Sequence, residues 1–171
     1  MGLELPCKVQ VSATRYFFSG GTWTPTINGG LVIQTKAAAA ETIFVSIPFN
    51  LERRTDQYGI KVVSFNVVHR ATVADMVAIT AVLYKQNLGN PTVNVPANVN
   101  RDTLPVTVTS VLTIDPNFRL TTVTVNTPAY ENPVGAVADQ NYVLAMGYQT
   151  AASTVLVLGD ATMNYNMVQA Y

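Results

Sequence analysis

Apolar and polar side chains alternate one by one through much of this chain. The pattern is clearest in residues 60–70, where Val63, Phe65 and Val67 share one side and Ser64, Asn66 and Arg70 the other. A period of two puts successive side chains on opposite faces of an extended backbone, so this segment is predicted as a half-buried strand. Residues 76–85 repeat the signal, with Val77, Ile79, Ala81 and Leu83 on one face. The intervening residues 71–75 suffice for a hairpin loop and are too few for a crossover helix, which predicts an antiparallel pair. The seven apolar residues of these two faces are the predicted core.

Similar runs follow on both sides. Residues 8–14 alternate Val9, Val11 and Ala13 against Lys8, Gln10 and Ser12, and residues 41–49 alternate Ile43, Val45 and Ile47 against Thr42, Phe44 and Ser46. Residues 31–36 are rich in β-branched side chains and follow the turn signal Asn28-Gly29-Gly30. Residues 104–114 and 118–127 flank Asp115-Pro116-Asn117, where proline presets φ and the polar neighbours satisfy local backbone groups, so a hairpin is expected. Residues 141–150 and 154–167 form a last predicted pair, with a bulge at Gly159-Asp160. Ala37 to Ala40 are too few for a free-standing helix and are read as a loop or a single turn. The sum is an all-β chain of about eight strands in one domain, an antiparallel β-sandwich or barrel of the single jelly-roll kind.

Composition sharpens this picture. A chain of 171 residues can bury a core without staples, and its single cysteine, Cys7, has no intrachain partner. Ten basic residues balance ten acidic ones, which removes any overall electrostatic pull on nucleic acid, and the basic residues are scattered. Only 12% of residues are charged. A weakly charged exterior resists self-association poorly, so contacts with further copies of the chain are expected. Residues 1–8 lack a basic segment leading into an apolar run, so no secretory leader is expected there, and no apolar run is long enough for a spanning helix.

Candidate chemistry is sparse. His69 is the only histidine, which removes multi-histidine metal sites and leaves any histidine-based triad dependent on one residue. Glu52, Asp56, Asp75, Asp102, Asp115, Glu131, Asp139 and Asp160 fall in predicted turns or strand ends, where solvation and local hydrogen bonds account for them. Phosphate loops, nucleophile elbows and dinucleotide fingerprints are absent from the sequence. No enzyme activity, catalytic residue, cofactor or metal is expected. The aromatic loop holding Tyr16 and Trp23, and the Asn/Pro-rich connection over residues 86–103 that holds Asn94 and Asn98, are the candidate subunit-contact or ligand loops.

The stretch from Arg54 through Gly59-Ile60-Lys61-Val62 and His69-Arg70 to Leu83-Tyr84-Lys85 resembles phage and metagenomic structural proteins. Tyr142-Val143-Leu144, the alanine turn Ala151-Ala152-Ser153 and the closing Asn164-Tyr165 add to the likeness. Size and expected topology are also similar to the small single-jelly-roll capsid proteins of tailless icosahedral phages with an internal membrane. The resemblance implies a capsid subunit made in the host cytoplasm and built into the virion. Its implied partners are copies of itself and other virion proteins, with peripheral contact to an internal viral membrane and no insertion or specific nucleic acid. A decoration or head-fibre protein is the alternative in that class. A carbohydrate-binding β-sandwich that takes a surface glycan is the alternative outside it, and the two classes differ in one feature. A sugar-binding module exposes an aromatic platform, whereas a capsid protein keeps its aromatics in the core and at seams.

Overall fold

Period-two alternation becomes extended chain over most of the predicted segments in the computed structural model, which describes residues 4–21, 24–35, 39–50, 58–87, 101–128 and 140–169. Among these the strands are β1 (Glu4–Val11), β2 (Phe17–Ser19), β3 (Thr24–Asn28), β4 (Leu31–Thr35), β5 (Glu41–Asn50) and β6 (Tyr58–Thr72). They continue as β7 (Met76–Asn87), β8 (Arg101–Leu104), β9 (Val106–Thr109), β10 (Arg119–Val125), β11 (Gln140–Thr150) and β12 (Val155–Gln169). One 3₁₀ turn, Ala13–Arg15, joins β1 to β2.

The strands form two antiparallel sheets. One runs β3-β4-β12-β6-β10-β9 with β1 also on β12, and the other runs β2-β5-β11-β7-β8. The long β12 holds β4 along residues 155–158 and β1 along residues 161–168, with β6 on its other edge. Within these sheets the series β1-β12-β6-β10 and β5-β11-β7-β8 are the two halves of a jelly roll, as expected.

Two predicted hairpins are corrected by this topology. β6 and β7 lie in different sheets, as do β11 and β12, so both short breaks carry the chain over the end of the sandwich. The physical reason is that all four strands bury one face, and crossing lets those faces meet. Val73 turns the first corner with φ 76, a left-handed conformation that is costly for a β-branched residue. Asp75 holds the corner: its Oδ1 accepts from the Ile114 amide at 2.6 Å and its carbonyl accepts from the Thr154 hydroxyl at 3.3 Å. The predicted strand over 104–114 is also divided and ends at Thr109, so the chain reaches β10 at Arg119 by a longer connection than the expected tight turn. Pro105, which has no amide hydrogen to donate, separates β8 in one sheet from β9 in the other.

The core lies between the sheets. Phe65, Val67, Ile79 and Leu83 are buried as predicted, and Ala81 packs partly buried against them. Two core assignments fail at register shifts. Val63 falls where β6 shifts against β12 and is half-buried, and Val77 falls where β7 shifts against β11 and is 53% exposed. An extra residue on one strand turns its side chain off the expected face. The expected irregularity at Gly159-Asp160 is present, between Leu158 and Ala161.

Phe49 from one sheet and Phe65 from the other meet at 5.0 Å between ring centroids, and neither has accessible surface. Phe65→Ala is expected to lower stability by about 3 to 5 kcal/mol. Urea unfolding checks this, and a loss under about 1 kcal/mol would remove Phe65 from the inter-sheet contact.

Candidate functional site: the outer face of the five-stranded sheet

Alternation along β5, β11 and β7 settles which side chains leave the core on the outer face of this sheet. Ile43, Val45, Ile47 and Phe49 of β5 point in, as do Tyr142, Leu144, Met146 and Tyr148 of β11. Thr42, Phe44, Ser46 and Pro48, with Val143, Ala145, Gly147 and Gln149, therefore point out. Register aligns these into rows. Phe17, Ser46, Ala145 and Val82 face each other across β2, β5, β11 and β7. Ser19, Phe44, Gly147 and Thr80 form the next row, and Pro48, Val143, Tyr84 and Thr103 another. None of these side chains carries a charge.

Two phenyl rings stand on this face, Phe17 at 68% and Phe44 at 52% exposure. Phe17 is opposite Ser46, which places Phe44 on the diagonal, about 7 to 8 Å away along the backbone. The Phe44 ring reaches over both neighbouring strands. Its Cδ1 and Cε1 lie 3.6 and 3.5 Å from where a Cβ on Gly147 would sit, and its Cδ2 lies 3.2 Å from where one on Gly20 would sit. Glycine at both places lets the ring lie along the sheet and present a face outward. At Gly147 a Cβ would also meet the Thr80 hydroxyl at 2.6 Å, so the floor beside the ring holds no larger residue without a shift. Threonine, serine and glutamine side chains and the half-buried Tyr84 surround this floor with neutral hydrogen-bonding groups.

The residues singled out from sequence fall elsewhere. Tyr16 is 6% exposed and its hydroxyl donates to the Gly159 carbonyl at 2.7 Å, so it ties β12 to the turn before β2 and offers no ring face to a ligand. Trp23, Asn94 and Asn98 lie outside the described residues. Phe44 was legible only as a member of an alternating run, and Phe17 only as part of the aromatic loop that holds Tyr16 and Trp23. Their significance comes from facing away from the core, and the one sequence signal for that was the opposition of Phe44 to Ile43 and Val45.

His69 and Asp115 have structural partners. His69 is buried: its Nε2 donates to the Val111 carbonyl at 3.1 Å and its Nδ1 accepts from the Thr121 hydroxyl at 3.1 Å. Donation to Val111 from Nε2 suits the neutral ring with Nδ1 free to accept, and the ring is buried rather than open to a substrate. Burial pushes its pKa below the usual 6.5, partly offset by backbone hydrogen bonds to Val111 and Val67. Asp115 accepts from the Asn117 amide, which comes first in holding its carboxyl below the ordinary range, and pairs with Arg119. Among the described residues no group of three or more His, Cys, Asp or Glu side chains could hold a metal ion.

No protein-family model matches the chain, and no curated protein matches it. Solved structures similar to it include a family 29 carbohydrate-binding module, with TM-score 0.43 and 8% identity over 95% of this chain and 89% of that one. Another is TmCBM61 in complex with β-1,4-galactotriose, with TM-score 0.44 and 9% identity over 93% of this chain and 91% of that one. A CBM29-2 variant complexed with cellulohexaose superposes with TM-score 0.41 and 7% identity over 92% and 91%. Likeness at this level transfers no ligand and no residue.

The capsid expectation is corrected here. The similar structures found are carbohydrate-binding modules, and nothing found points to a capsid subunit.

His69 supplies a pH test of the fold. Its unfolded form takes up a proton near pH 6.5, while its folded form does so only at lower pH. Between the two values the unfolded chain binds more protons, so this contribution is full above the unfolded pKa and is lost as pH falls toward and through the folded one. Urea midpoints measured from pH 8 down to pH 5 are expected to fall below about pH 6.5 and to flatten in His69→Gln. An unchanged slope in the variant would assign the effect to other groups.

Proposed function

We propose that the chain is a non-catalytic carbohydrate-binding β-sandwich whose glycan lies across the outer face of the five-stranded sheet. One observation carries this reading: two exposed phenyl rings on adjacent strands, over a floor cleared by Gly147 and Ala145 and bordered by the neutral side chains of Thr42, Ser46, Thr80 and Gln149.

A pyranose ring has an apolar C–H face and a rim of hydroxyls. A flat ring such as Phe44 removes the C–H face from water without demanding a hydrogen bond. Neutral groups at the edge, among them Thr80, Ser46, Thr42 and Gln149, can exchange hydrogen bonds with the rim and set the orientation. Neutrality suits a ligand that brings no charge to that position, because no ion needs desolvation. The rings have no packing duty large enough to explain them. An exposed phenylalanine forgoes most of the roughly 1.5 to 3 kcal/mol that burial would supply, and single exposed apolar residues are common, but two side by side among neutral side chains form a surface for contact.

Isothermal titration of the full chain with cellohexaose and β-1,4-galactotriose tests the proposal. Phe17→Ala and Phe44→Ala are each expected to weaken the bound sugar on the order of tenfold, about 1.4 kcal/mol, while thermal stability changes by less than about 1 kcal/mol. Affinities untouched by both substitutions would contradict the proposed face. A sedimentation coefficient that drops in the variants, with no sugar bound by any of them, would assign the face to a second copy of the chain.

A further inference from the structure

Beside the aromatic face the chain forms a cleft of about 440 Å³ lined by Val9, Gln10, Val11, Ser12, Arg15, Pro48 and Asn50. Pro48 belongs to both features. It lines the cleft, and it is an outward residue of β5, two positions from Ser46 and four from Phe44. The cleft therefore adjoins the platform at the side where β1 and β5 border each other.

Its chemistry differs from that of the platform. Arg15 ends the 3₁₀ turn, two residues before Phe17, and its exposed side chain has no hydrogen-bond or ion-pair partner among the described residues. The nearby acid is already engaged. Asp160 accepts from the Gln10 side-chain amide at 2.8 Å and from the Ala13 backbone amide at 3.3 Å, and the Ser12 hydroxyl accepts from the Thr14 hydroxyl at 3.1 Å. That leaves a guanidinium and the Asn50 amide facing a recess next to a sugar-sized aromatic surface. A guanidinium is planar and presents parallel N–H donors that match the two oxygens of a carboxylate.

We infer that the cleft receives the carboxylate of a uronic acid unit while a sugar further along the same chain lies on Phe44, so that the ligand is an acidic polysaccharide. This inference rests on the carbohydrate reading of the platform. The glycan would cross from a charge-free floor to one cation, which fixes its direction and distinguishes an acidic chain from a neutral one. Attraction to an exposed arginine is screened by salt, so the preference is strongest at low ionic strength.

The experiment titrates the full chain with trigalacturonic acid, its neutral methyl ester, a sulfated trisaccharide and cellohexaose, at low and high salt. Wild type is compared with Arg15→Gln, Arg15→Lys and Phe44→Ala, each checked for unchanged circular dichroism. Trigalacturonic acid is expected to bind at least tenfold more tightly than its ester at low salt. Arg15→Gln should abolish that gap and leave the neutral ligands unchanged, Arg15→Lys should retain part of it, and Phe44→Ala should weaken acid and ester together. Equal binding of acid and ester, or a loss of both in Arg15→Gln, would overturn the inference while leaving the platform proposal standing. Tighter binding of the sulfated sugar would overturn the carboxylate assignment, full acid binding in Phe44→Ala would overturn the joined site, and no binding of any glycan would sink both.

Discussion

Everything on both sides of the five-stranded sheet depends on the register of β11 between β5 and β7. Each residue of β11 is assigned by that register to the core or to the outer face. Tyr142, Leu144, Met146 and Tyr148 go in, and Val143, Ala145, Gly147 and Gln149 go out. A slip of one residue would exchange the two sets. It would expose four large side chains, each worth roughly 1.5 to 3 kcal/mol when buried, and would put Gly147 where a core side chain is needed. The same constraint that closes the core thus sets glycine beside Phe44 and leaves the phenyl ring room to lie flat. The candidate site is the reverse side of the core and has no separate origin.

The two outer faces of the sandwich show what a solvated face looks like in this protein and why the aromatic one stands apart. On the seven-stranded sheet, register aligns Gln10, Thr162, Asn66, Thr122 and Thr109 in one row across β1, β12, β6, β10 and β9. Lys8, Asn164, Ser64, Thr124 and Thr107 make the next row. These side chains bond to one another: Thr122 donates to Asn66 at 3.0 Å and Asn164 to Ser64 at 3.1 Å. Apart from Lys8, these rows are neutral amides and hydroxyls, which cover the surface with little charge and fit the low charged fraction. Phe17 and Phe44, by contrast, sit where hydroxyls would have served.

The sheet architecture was legible because alternation reports burial directly. Phe65, Val67, Ile79 and Leu83 were placed correctly on that basis alone, as was the bulge at Gly159-Asp160, where glycine interrupts an otherwise regular run. The partners of strands were less legible. A break such as residues 73–75 has the same length whether it closes a hairpin or crosses between sheets, and the choice depends on contacts distant in sequence, such as Asp75 with Ile114 and Thr154. Val63 and Val77 were misassigned because a bulge is invisible to a strict two-residue period. The site was hidden for a related reason. Tyr16 and Phe17 are adjacent aromatics of similar size, and only the direction each faces makes one a buried wedge and the other an open ring.

Ring-selective NMR of the phenylalanines tests the central claim most directly, because one residue type reports on both sides of the sheet. With phenylalanine ring carbons labelled and a bound oligosaccharide titrated in, the signals of Phe17 and Phe44 are predicted to shift with ligand concentration while those of Phe49 and Phe65, buried between the sheets, stay in place. Shifts at other rings with Phe17 and Phe44 silent would contradict the account.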